Sequence, residues 1–325
     1  MAHRLIFALE DSVEPEKITL GKFLERWLRD AAKPTLKATT YANYERAVER
    51  SIKPYLGGVK LAKLTALQIH GMYATLAKEG ASADKIGVTH AVLHRALKQA
   101  VRWRLLPINV CADVERPKVE RTEVTPLGLP DVGKLLEAAK GERFEAMIVL
   151  AVTTGMRLGE LFALQWPDID LDRKSVMVQR SLQELSGRLA LVEPKSARGR
   201  RRIELPRIAV EALARHRERM LAEGLAGAEV IFCNTLGGPM RRSHFHDQHF
   251  KPMLRKAGLP ECRFHDLRHT SATLLLAQGV HPKVVQERLG HSQISVTLDT
   301  YSHVLPTMQA EAAGKFDDML ARGGG

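Results

Sequence analysis

Residues 264–304 read FHDLRHTSATLLLAQGVHPKVVQERLGHSQISVTLDTYSHV, a stretch holding a His-x-x-Arg pair (His265, Arg268), a Gly-His (Gly290, His291) and a lone tyrosine, Tyr301. The pattern predicts a helix over 267–278 that stops at Gly279, so His265 and Arg268 share a face of its first turn. Partly positive backbone N–H groups gather at that turn. A histidine, an arginine and a helix start facing one way suit a phosphate. Singly, each residue has an ordinary reading: a structural histidine, a surface arginine, a packing tyrosine. The rest of the chain has to decide.

Two further stretches supply matching chemistry. In TTGMRLGE (153–160) the glycines allow a tight turn that puts Arg157 at a helix start, poised for an anion. In EPKSARGRR (193–201) Lys195 stands at a strand end beside a run of arginines. This segment reads equally as a solvated charge run or as the tip of a two- or three-stranded ribbon lying in a DNA groove. Breaking a phosphodiester without a metal needs a nucleophile, a proton donor for the leaving 5′ oxygen, and cations for the charge on the non-bridging oxygens. There is a candidate for each role. Arg157 and Arg268 hold the phosphate in forked hydrogen bonds, and Lys195 protonates the departing oxygen. His265 serves as general base or donor, and His291 hydrogen-bonds the phosphate. Tyr301 is the nucleophile, its phenol more easily ionised beside these cations. Glu160 orients one of the basic groups from behind.

The composition agrees with this reading. A net charge of +12 and a pI of about 9.7 favour a polyanionic partner. Aromatic residues are only 5%, fewer than a membrane-surface helix would want. The longest apolar runs, such as 147–152, are too short to cross a bilayer, and residues 1–10 carry too brief an apolar core for a secretory signal. The three cysteines, Cys111, Cys233 and Cys262, form no C-x-x-C pair, which argues against a disulfide framework and a zinc ribbon. The expectation is a cytoplasmic protein with reduced thiols, no cofactor and no metal, partnered by double-stranded DNA and not by a membrane. The run 241–249, RRSHFHDQH, fits no standard helical zinc pair and reads as a basic helix start near DNA.

The elements that must position these residues fall into two domains. Residues 1–18 are a short N-terminal segment. Residues 19–112 read as a helical bundle and residues 113–123 as an exposed connector, with the catalytic domain over 124–325. In the bundle Phe23, Leu24, Trp27 and Leu28 mark a first helix, and Tyr41, Tyr44, Ala47 and Val48 a second, capped by Thr39 or Thr40. Thr65 and Gln68 form a capping box for a third, and Ser82 caps a long fourth. Its polar faces carry Lys33, Lys37, Arg46, Arg50, Lys53, Lys60, Lys63, Lys85, Arg95, Lys98, Arg102 and Arg104, an excess of positive charge that implies a DNA-facing side. In the second domain, helices are predicted at 130–140, at 144–152 and from Arg157. Strands at 175–179, 189–192 and 202–205 read as one small antiparallel sheet.

TGMRLGE around Arg157, EPKSARGRR around Lys195, HDLRHT at His265 and Arg268, LGH at His291 and DTYSHV at Tyr301 together resemble the tyrosine recombinases of the phage integrase family, from about Thr19 onward. The resemblance implies a mainly α chain: an N-terminal helical, SAM-like core-binding domain, then a mainly α catalytic domain with a small antiparallel β-sheet, closing as a clamp on DNA. It implies an integrase that cleaves and rejoins DNA through a 3′-phosphotyrosine and a Holliday junction, without metal or ATP. It further implies a homotetramer on DNA, aided by DNA-bending or excision accessory proteins, and a phage or mobile-element origin. The segment 306–321, with Met308, Phe316, Met319 and Leu320, is expected to dock on a neighbouring protomer. Many phage integrases carry an arm-binding domain before this point, and VEPEKITLGKF resembles the junction that follows one, so arm binding is left open. The competing readings are type IB topoisomerase-like strand relaxation, a non-catalytic DNA-binding regulator and a metal-dependent nuclease using 244–249.

Overall fold

The computed structural model describes residues 17–115, 126–185, 187–193 and 199–290, together with 293, 294 and 319. The chain divides into two compact units, Met1–Thr122 and Glu123–Gly325, each with its own apolar core.

The first unit is all helical. Helix α1 (Leu20–Trp27) starts under Thr19, whose hydroxyl accepts from the Lys22 N–H, and runs on through a π turn at Leu28–Ala32. Helices α2 (Ala38–Ala47), α3 (Lys53–Leu56), α4 (Ala66–Lys78) and α5 (Ala83–Arg102) follow. Helix α2 begins one residue after Lys37, ahead of Thr39 and Thr40, so neither threonine caps it; both lie inside its first turn. The expected capping box is present at α4, with Thr65 Oγ1 accepting from Gln68 N at 3.3 Å and Gln68 Oε1 accepting from Thr65 N at 3.0 Å. Ser82 caps α5 by accepting from Lys85 N. The amphipathic faces meet in a core where Phe23 packs edge-on to Trp103 and Trp27 stacks on Tyr44. Most of the basic residues singled out on the polar faces are exposed. Lys53 is not available in that way: its ammonium lies 2.7 Å from Glu25 and 2.9 Å from Glu49.

The second unit is built on α7 (Glu145–Thr154), buried at every residue from Ala146 to Val152 because it has no polar face to offer water. Around it pack α6 (Leu129–Ala139), the single-turn α8 (Leu158–Leu161), α9 (Arg207–Ala222) and α12 (Asp266–Ala277). Helices α10 (Arg242–Phe245) and α11 (Lys251–Lys256) are joined by a π turn, and α13 (Pro282–Leu289) packs on α12.

The strands form two sheets where one was expected. Strands β1 (Ile169–Asp170), β2 (Ser175–Val178) and β5 (Arg201–Glu204) make an antiparallel sheet in the order β1-β2-β5. Strands β3 (Ser181–Leu185) and β4 (Arg188–Val192) form a separate hairpin, with Ser181 opposite Val192 and Leu185 opposite Arg188. The expected strand at 189–192 therefore pairs with β3, which the pattern did not reveal, and not with the strand that follows it. The segment 193–200 leads from β4 to β5, which belong to different sheets, and the turn around Lys195 (194–198) lies outside the described residues.

Candidate active site

The site grows from the C-terminal end of α7. There Gly155 takes φ +65° and ψ +21°, the left-handed conformation in which a helix most readily ends on glycine. A Cβ at this position would lie 2.4 Å from Leu289 Cδ2 and 3.4 Å from Ser271 Oγ, so α12 and α13 both close on this turn. The last carbonyls of a helix carry partial negative charge and lack partners within it. Arginines from the two later helices take them: Arg268 Nη1 donates to Gly155 O at 2.8 Å, and Arg288 Nη2 to Thr153 O at 2.8 Å.

Arg157 follows in extended conformation (φ −71°, ψ 148°) and precedes α8. Glu160, three residues on, folds back over it: Oε2 accepts from the Arg157 backbone N–H at 3.0 Å, and Oε1 from Arg157 Nη1 at 2.8 Å. The Glu160 carboxylate is 7% exposed, whereas the Arg157 side chain is 42% exposed, so one edge of the guanidinium is held and the rest faces solvent. On its other side Glu160 accepts a forked pair from the buried Arg201, Nη2 to Oε2 at 2.8 Å and Nη1 to Oε1 at 3.2 Å. Burial by itself would raise the Glu160 carboxyl. The hydrogen bonds and charge of Arg201, with the charge of Arg157, outweigh it and hold the group below the usual carboxylate range.

His265 stands at the N-cap position of α12 and Arg268 in its first turn, as the three-residue spacing predicts, but they do not project together. Arg268 is 3% exposed and turned in towards Gly155, while His265 stays exposed on one side and packs edge-on to His269. Desolvation, then the neighbouring His269, Arg268 and Arg157, push the His265 imidazole down to about 4. At neutral pH it is an uncharged ring able to accept a proton. The helix start itself is fixed by Asp266, which accepts from Arg263 N at 2.9 Å and Arg263 Nη2 at 2.9 Å. Farther along, Thr270 Oγ1 accepts from Leu127 N at 3.0 Å.

Of the residues expected in the site, Arg157, Glu160 and Arg268 thus converge on the Gly155 turn, and the charges of both arginines reach His265. Lys195, His291 and Tyr301 lie outside the described residues, as does the Pro306–Ala321 segment except for Met319. Just before His291 the chain turns at Gly290 with φ +70°. Sequence reasoning missed Arg201 and Arg288. Arg201 reads as the end of a basic turn, yet strand alternation carried one step further finds it: Arg201 and Ile203 are buried, Arg202 and Glu204 exposed. Arg288 had no comparable signal.

The histidines of 244–249 are used in packing. His249 lies 4.6 Å from Phe144, centroid to centroid, and edge-on to His244. Arg241 is tied to the β3–β4 hairpin through Glu184 Oε1 at 2.7 Å and Gly187 O at 2.9 Å. Among the described residues no group of three or more His, Cys, Asp or Glu side chains is placed to hold a metal ion.

Two positioned guanidinium groups and an imidazole uncharged at neutral pH, gathered near one turn, are groups of the kinds that bind an oxyanion and transfer a proton. The model of the phage integrase family matches residues 129–308, more than half of the chain, and so spans all of these residues. The chain belongs to the phage integrase family. It is a tyrosine recombinase, an enzyme that cleaves and rejoins DNA. The phage integrase N-terminal SAM-like domain matches residues 19–77 of the recombinase, within the helical first unit. A tyrosine recombinase XerC-like protein of Caldanaerobacter subterraneus subsp. tengcongensis is 31% identical to it over 95% of this chain and 85% of that protein. The ICEBs1 integrase of Bacillus subtilis is 27% identical over 87% of this chain and 79% of its own length. In fold, the recombinase resembles the Tn1549 transposon integrase in complex with a circular intermediate DNA. That match has a TM-score of 0.79 and 22% identity, and covers 91% of this chain and 99% of the other. It also resembles a lambda integrase tetramer bound to a Holliday junction, with a TM-score of 0.66 and 24% identity over 87% of this chain and 77% of that one. Among the described residues no helix is long and apolar enough to cross a membrane.

Proposed function

We propose that the recombinase cuts each DNA strand with Tyr301 and that Arg157, Lys195, His265, Arg268 and His291 serve the step, with Glu160 holding Arg157. The phenolic oxygen attacks the scissile phosphorus and the bond to the 5′ oxygen breaks, leaving a 3′-phosphotyrosine and a free 5′ hydroxyl. His265 accepts the phenol proton; Lys195 gives one to the leaving oxygen. Arg157 and Arg268 carry the charge of the phosphorane, assisted by a hydrogen bond from His291. The 5′ hydroxyl of the partner strand then attacks the phosphotyrosine and releases Tyr301. One phosphodiester is exchanged for another, so no nucleotide is consumed.

The observation that carries this reading is the convergence of Arg157 and Arg268 on Gly155, beside a histidine that is uncharged at neutral pH. The likeness to integrases solved on DNA, one as a tetramer on a Holliday junction, supports duplex DNA as partner and a homotetramer as the working assembly. The first unit, with its exposed lysines and arginines, is the core-binding domain, 113–123 the connector and 124–325 the catalytic domain. The reaction belongs to the cytoplasm, where the DNA is.

Covalent trapping on nicked duplex fragments of the source genome, with EDTA present, tests the assignment. A denaturant-stable protein–DNA adduct that disappears in Tyr301→Phe, with duplex binding retained, is the expected result. An adduct that persists in Tyr301→Phe excludes Tyr301 as the nucleophile.

A further inference from the structure

Three motifs separated widely in the chain meet at one side chain, Arg201, the last residue of the EPKSARGRR run. Arg201, at the start of β5, is 7% exposed in its side chain. Its fork clasps both oxygens of Glu160, the carboxylate that holds the backbone and guanidinium of Arg157. Its Nε donates to Arg288 O at 2.7 Å, and Nη1 also reaches Gly199 O at 3.3 Å. Gly290 lies against the same group: a Cβ there would sit 3.0 Å from Arg201 Nη1 and 3.1 Å from its Cδ.

We infer that Arg201 is a positioning residue for strand cleavage, which ties the Arg157 turn, the exit of the Lys195 segment and the turn leading into His291 into one register. The inference rests on the recombinase chemistry proposed above. A buried ion pair contributes little net stability against an apolar substitute, because desolvation of both charges offsets their attraction. What a bidentate fork provides is direction: it permits one orientation of the Glu160 carboxylate, and through it one orientation of Arg157. The Nε bond then spaces α13 from that carboxylate, so a displacement of the Gly290 turn cannot occur without breaking it. Lysine at 201 keeps the charge but cannot serve Glu160 and Arg288 O in the same geometry.

The test is single-turnover cleavage on a nicked duplex that wild type traps in a Tyr301-dependent adduct, with Arg201→Gln, Arg201→Lys, Glu160→Gln and the Arg201→Gln/Glu160→Gln pair. The expected result is a fall in cleavage rate of at least about tenfold for either glutamine variant, with the Kd for the duplex within about twofold of wild type. The double variant should be no slower than the slower single one, since both remove one linkage. Arg201→Lys should recover part of the rate. If Arg201→Gln unfolds, Arg201→Lys carries the test, with several-fold slower cleavage at unchanged Kd expected. Wild-type cleavage in a folded Arg201→Gln or Arg201→Lys overturns the inference, as does a double variant whose loss is the product of the two single losses. No Tyr301-dependent adduct from wild type overturns the underlying chemistry instead, so the two failures are told apart.

Discussion

Arg268 donates from Nη1 to the carbonyl oxygen of Gly155 at 2.8 Å, joining residues 113 positions apart in the chain. The bond sets the guanidinium of one motif against the turn that presents the arginine of another. Replacing Arg268 by alanine should lower the cleavage rate by about 10²–10³, the range for a lost donor to a developing oxyanion. Because the side chain is buried, some stability is lost as well. Single-turnover rates at saturating DNA, measured well below the variant's unfolding temperature, separate the two. An unchanged rate would remove Arg268 from the site.

Gly155→Ala should destabilise the second unit by about 2 kcal/mol. Left-handed backbone costs a non-glycine residue about 1–2 kcal/mol, and the new methyl must displace Leu289. Urea unfolding midpoints measure this, and stability equal to wild type would show that the turn can relax.

The depressed His265 has a signed consequence for pH. Its folded value, about 4, lies below the ordinary histidine value of about 6.5. Between those values the unfolded chain binds a proton that the folded chain does not, so this contribution is complete above about pH 6.5 and is lost as pH falls towards 4. His265→Gln should therefore lose less stability between pH 7 and pH 5 than wild type does, by paired urea titrations. Binding of a duplex should raise the His265 value, since a phosphate beside the ring favours the imidazolium; NMR titration of the ring reads this directly.

Duplex binding should weaken steeply with salt, with a log–log slope near −0.9 for each phosphate neutralised. Lys53→Ala should leave that slope unchanged, because the ammonium is already occupied by Glu25 and Glu49. A slope that falls by about one in this variant would place Lys53 on a phosphate.

Local chemistry in the sequence determined a good deal: the helical first unit, the capping box at Thr65 and the cap at Ser82, the apolar α7 and the ordered motifs around Arg157, Arg268 and Tyr301. These depend on periodicity, on side chains reaching a few residues along a helix, and on the types of group a reaction demands. It also placed Glu160 behind a basic group. Tertiary structure alone decided which strands pair, that Glu25 reaches Lys53 from another helix, and that Arg268 turns inward while His265 stays out. It also decided that Arg201, inside what reads as a solvated basic run, is the buried partner of Glu160. Pairing between β2 and β5, or between Arg201 and Arg288, joins segments that no local pattern relates. Their energies come from burial and hydrogen bonds that exist only once α7, α12 and α13 have closed around the Gly155 turn.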